Sequence, residues 1–100
     1  MSNTYQALNI PPAANQHGGL EVLRCAVIDG ELHLTFRPAF NETADWGRMF
    51  AEVARQVARA YAQQDRFSEP ETLKRIGAAF AEELRSPTNT DSSVGPVETT

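Results

Sequence analysis

The sequence is short of the residues from which catalytic and membrane proteins are usually assembled. It has one cysteine, Cys25, so no disulfide can close within the chain and a reducing compartment suits it. His17 and His33 are its two imidazoles, and no Cys/His/carboxylate spacing has the form of a metal site. It has no glycine-rich phosphate loop, since Gly18-Gly19 is only a flexible join. No window nears the roughly 20 apolar residues that a membrane span needs. The N-terminus also lacks the basic start and apolar run of a signal peptide. These absences predict a cytoplasmic protein, away from the membrane, with no catalytic, cofactor-binding or metal-binding residue to nominate. Nor is there an excess of positive charge. Nine basic residues stand against thirteen acidic ones, for a net charge of −4. A nucleic-acid-binding domain needs a clearly basic patch, so the composition argues against that partner.

What is present falls into three parts. Residues 1–19 carry Pro11-Pro12 and Gly18-Gly19 and are expected to be an extended or flexible segment. Residues 87–100 are mostly Ser, Thr, Pro, Gly, Asn and acidic residues, with Val94 and Val97 alone to bury, and are expected to be a disordered tail. Residues 20–86 remain as the α+β domain. A single core of that size seldom supplies more than about 3–5 kcal/mol. Either the N-terminal segment packs down on it, or the domain associates with a partner or a copy of itself.

Asp29-Gly30 sits between Glu21-Val22-Leu23-Arg24-Cys25-Ala26-Val27-Ile28 and Glu31-Leu32-His33-Leu34-Thr35-Phe36-Arg37. Asp tolerates and Gly prefers the positive φ of a type I′ turn, so a β-hairpin is predicted. The pattern also selects its register. A two-residue loop places Leu23, Cys25, Val27, Leu32, Leu34 and Phe36 on one wholly apolar face, whereas a one-residue slip mixes polar and apolar residues. The other face holds Val22, Arg24, Ala26, Ile28, Glu31, His33, Thr35 and Arg37. Arg24, His33, Thr35 and Arg37 gather toward the open end. They make either an ordinary solvated sheet face or a polar contact surface for an anion or acidic partner.

Pro38 ends the hairpin, and Asn41 or Thr43 can cap a helix beyond it. Trp46, Met49, Phe50, Val53, Val57, Ala60 and Tyr61 recur at spacings of three and four, the mark of one buried stripe. Trp46 reads as a core anchor rather than a ligand platform. Arg48, Arg55 and Arg59 are interrupted by Glu52, which favours a salt-bridged outer face over a phosphate-binding ridge. Ser68-Glu69-Pro70-Glu71 matches a capping box, with Glu71 expected to reach back to Ser68. The stripe that follows is Leu73, Ile76, Phe80 and Leu84, ended by Ser86-Pro87. The predicted fold is a β-hairpin followed by two antiparallel amphipathic helices (ββαα), with both stripes on the apolar hairpin face. Two strands alone are marginal. A third strand from residues 5–10, or dimerisation through the hairpins, is expected to extend the sheet.

Several strings in the chain, taken together, resemble one of the small bacterial domain-of-unknown-function families. They are Asn9-Ile10-Pro11-Pro12-Ala13-Ala14, Glu21-Val22-Leu23-Arg24, Arg37-Pro38-Ala39-Phe40, Asp45-Trp46-Gly47 leading into Ala51-Glu52-Val53-Ala54-Arg55, Glu71-Thr72-Leu73 and Arg85-Ser86-Pro87-Thr88. The resemblance covers nearly the whole chain apart from the final tail. It implies a free-standing small bacterial protein and brings no established activity and no catalytic residues. The functional expectation is therefore an interaction or accessory module: a homodimer, with a protein partner also possible in principle and no cofactor. Arg24, His33, Thr35 and Arg37 are its candidate polar contacts. A small-ligand or anion-binding domain is the alternative, and an enzyme would have to build its site across a dimer interface.

Overall fold

The computed structural model describes residues 4–88 and 93–97. Strands β1 (Leu23–Ile28) and β2 (Glu31–Phe36) form the antiparallel hairpin in the register that the apolar pattern selects. Leu23 opposes Phe36, Cys25 opposes Leu34 and Val27 opposes Leu32. Asp29 and Gly30 turn the chain at φ 52° and 80°, the positive values that a type I′ turn requires. Helices α2 (Ala44–Gln63) and α3 (Glu69–Arg85) follow and pack against each other. The architecture is α+β, a hairpin followed by two helices.

The third strand comes from an unexpected place. Residues 5–10 form no strand, and no backbone hydrogen bond joins them to β1. The sheet is extended instead by β3 (Ser93–Val97), which runs parallel to β2 and pairs Ser93 with His33 and Val94 with Leu34. The sheet order is β1-β2-β3. Ser93–Val97 lies inside the segment expected to be a disordered tail, so the polar composition there did not keep it out of the sheet. Pro96 is compatible with this because β3 is an edge strand and its register is irregular between Leu34 and Phe36, where a missing N–H costs little. Near the N-terminus, the expected extended segment contains one short helix, α1 (Pro12–His17). Proline at its first turn and Gly18 at φ 69° just beyond it are the ordinary start and stop signals.

Local chemistry sets the remaining boundaries. The Ala39 N–H donates to the Arg37 carbonyl at 2.8 Å, a tight reversal about Pro38 that redirects the chain after β2. Thr43 precedes α2 with no side-chain capping bond. At the other end the Arg66 N–H reaches the Tyr61 carbonyl and the Asp65 N–H the Ala62 carbonyl, a Schellman closure with Asp65 at φ 56°. The Arg66 guanidinium lies 5.1 Å from the Tyr61 ring centre, which covers that closure. Ser68 caps α3 as expected, its hydroxyl accepting from the Glu71 N–H at 3.2 Å. The Glu71 carboxylate turns instead to Arg75, so the capping box is only half made.

The larger departure concerns the core. Neither long helix lies against the sheet, although both stripes were expected to cover its apolar face. Among the described residues the two layers meet at an aromatic hinge. Trp46 stands edge-on to Phe36 (6.2 Å between ring centres) and Phe40 (5.0 Å), and beside Phe50 (6.0 Å). Among the described residues only Ala58 and Thr72 are buried. Phe50, Val53, Val57, Phe80 and Leu84 on the helices, and Val27 and Leu32 on the sheet, stay exposed. The stripes were read correctly as apolar, but periodicity cannot tell which surface covers them.

Candidate functional site

Two surface features occupy the β1 side of the sheet. The first is the polar end of the hairpin. Arg24 and Thr35 are directly opposed, and with Arg37 they line a depression of about 60 Å³ that Glu21 also borders. The Arg24 guanidinium forks onto the Glu21 carboxylate, with Nη2 at 3.0 Å from both oxygens and Nε at 3.2 Å from one. A hydrogen bond with Tyr5, and then this pairing, hold its pKa above the ordinary arginine value, so it stays charged. Arg37 is anchored through its backbone N–H, which donates to the Val22 carbonyl at 3.1 Å. His33 pairs with Ala26 two residues further along β2 and does not line the depression. Three of the four nominated residues are thus brought together and the fourth is not. Glu21 is the residue that sequence reasoning missed. Its spacing of three from Arg24, just ahead of the strand, was the available signal.

The second feature is a groove of about 1000 Å³ between residues 4–11 and β1. Tyr5, Leu8 and Ile10 line one wall and Leu23, Val27 and Ile28 the other. The outward bond from Arg37 to Val22 fixes the alternation of the ladder, so the backbone groups of Leu23, Cys25 and Val27 point away from β2 along this edge. The Cys25 thiol, expected as inert packing, is exposed on the apolar sheet face. Among the described residues no cluster of three His, Cys, Asp or Glu side chains is placed to hold a metal, and no helix is long and apolar enough to cross a membrane.

A hairpin, a helix pair and a polar strand end define a small α+β domain. Residues 7–88 match the family model of the domain of unknown function DUF5076, and the chain belongs to that family. No curated protein matches it. A solved structure from the photosynthetic bacterium Rhodopseudomonas palustrus CGA009, provisionally described as a pyruvate dehydrogenase, is 32% identical to it. The two superpose with a TM-score of 0.75 over 95% of this chain and 99% of that one.

Proposed function

We propose that this chain is a cytoplasmic accessory protein that acts through association, with a second copy of itself as its first partner. One observation carries the reading: large apolar side chains on the sheet and on both long helices stay exposed, Val27 at 74% and Leu84 at 72% among them. Exposed apolar side chains grouped along a sheet face and two helix stripes mark an interaction surface. The polar cluster of Arg24, Thr35 and Arg37, with His33 nearby, lies on the opposite sheet face and serves a protein partner.

The description of the Rhodopseudomonas protein does not alter this reading. Oxidative decarboxylation of a 2-oxo acid draws on thiamine and lipoyl cofactors. Among the described residues no cluster of three His, Cys, Asp or Glu side chains is placed to hold the divalent cation through which such a diphosphate is bound. In this reading the likeness to that protein is that of an accessory chain.

Sedimentation equilibrium from low to high micromolar concentration tests the proposal. A mass near twice that of the chain is expected at the upper end. A monomer throughout overturns it.

A further inference from the structure

Strand β3 brings a late part of the chain back to the polar depression. Its last residue, Val97, is paired with Phe36 at the end of β2. The ladder on the other side of β2 continues one residue further, since the Arg37 N–H donates to the Val22 carbonyl. One more step along β2 and β3 sets residue 98 level with Arg37, a strand spacing of about 5 Å away. That residue is Glu98, which lies outside the described residues. Successive residues of a strand alternate between faces, and paired residues share one. Val97 is level with Phe36 of the apolar face, so the position after it belongs to the face of Arg24, Thr35 and Arg37.

Charge favours the same placement. The depression is lined by two guanidiniums, those of Arg24 and Arg37, and by one carboxylate, that of Glu21. Glu21 is engaged by the Arg24 fork, with Nη2 at 3.0 Å from both of its oxygens. The chain as a whole carries −4, so this is a locally positive spot on an acidic protein. His33 stands further back along β2, paired with Ser93, and brings no opposing charge to the open end. A further carboxylate arriving beside Arg37 is attracted there.

We infer that Glu98 turns onto the open end of the sheet and pairs with Arg37, so that the chain occupies its own polar contact surface. This rests on the reading of that cluster as a contact surface and names the group it takes, a carboxylate. A partner that docks there must present an acidic side chain and displace Glu98. The short tether sets a local carboxylate concentration on the order of millimolar, against which any such partner competes. Exposed ion pairs add little to stability, so the carboxylate itself is the place to look.

NMR titration of the full chain reads it. The Glu98 midpoint is expected below that of a free glutamate, to rise in Arg37→Gln, and to stay low in Arg37→Lys, which keeps the charge. An ordinary midpoint, or one unmoved by Arg37→Gln, overturns the contact and leaves self-association standing. The lowering should be the same at low and high micromolar protein. A lowering seen only at the upper end means that a second copy supplies the carboxylate, and the intrachain contact falls. Competition gives a second readout, with triglutamate as the probe. The amide signals of Arg24 and Thr35 should saturate at several-fold lower probe concentration in Glu98→Gln than in the parent chain. Equal saturation shows that Glu98 does not occupy the site and overturns the inference. No response in either chain defeats the reading of the cluster as a carboxylate site.

Discussion

Thr72 is an odd residue to find as one of only two buried side chains among the described residues, Ala58 being the other. Its hydroxyl has no hydrogen-bond partner, although the Thr72 backbone N–H is satisfied by the Ser68 carbonyl at 3.0 Å. A buried polar atom without a partner carries its desolvation cost uncompensated, about 1–3 kcal/mol. Thr72→Val keeps the shape and removes the cost, so it is expected to raise stability by about 1 kcal/mol, measured by urea denaturation. An unchanged or lower midpoint would mean that the hydroxyl is satisfied in solution. The buried pair was invisible to periodicity, which ranks residues by apolar size, whereas helix packing buries whatever small side chains lie where two backbones approach. The hairpin residues were legible for the opposite reason. Asp29-Gly30 is a local signal with a specific backbone requirement, and the alternation on either side permits one register.

At the scale of elements, what is local was legible and what is not local was not. The hairpin, α2 and α3 each carry their own start, stop and periodicity. β3 carries none, since its place is set by pairing with β2, about sixty positions earlier in the sequence, and its composition is that of a solvated tail. Just beyond α3 the chain is tied back to the helix by the Glu83 carboxylate. The Thr88 hydroxyl and backbone N–H both donate to Glu83, at 2.7 and 3.1 Å. These bonds hold the Glu83 carboxyl below the usual glutamate range. A depressed folded value means that the contact contributes fully above the unfolded glutamate pKa and is lost as pH falls through the folded one. NMR titration should therefore place the Glu83 midpoint below that of a free glutamate, and Thr88→Ala should move it back upward. Protection of the Thr88 amide from exchange should fall through the same acid range. A Glu83 midpoint at the ordinary value, unmoved by Thr88→Ala, would show that the bonds do not form in water. The candidate site was half legible on the same grounds. Arg24, Thr35 and Arg37 meet because the register is local, whereas their ion-pair partner Glu21 and neighbour Tyr5 come from segments whose paths the pattern does not dictate.

For the whole molecule, the apolar pattern states which side chains need covering and is silent on which chain covers them. The expectation that α2 and α3 lie on their own sheet placed that cover within the chain, and neither long helix lies there. Val27 provides the sharpest measurement of the consequence. In a single copy it is 74% exposed, so Val27→Thr replaces a methyl by a hydroxyl of nearly the same shape, keeps β-branching, and changes stability by no more than about 0.5 kcal/mol. Covered by a second copy, the same hydroxyl must give up its water with nothing apolar able to replace it, at a cost of about 1–3 kcal/mol. Urea denaturation of Val27→Thr and the parent chain at two protein concentrations separates these cases. The curves should coincide when the protein is dilute enough for the copies to part, and diverge when it is concentrated, the variant unfolding first. A local effect on the strand would shift the variant equally at both concentrations. Coincidence at both would mean that Val27 faces water in every form of the protein, and then the sheet face has no partner to cover it.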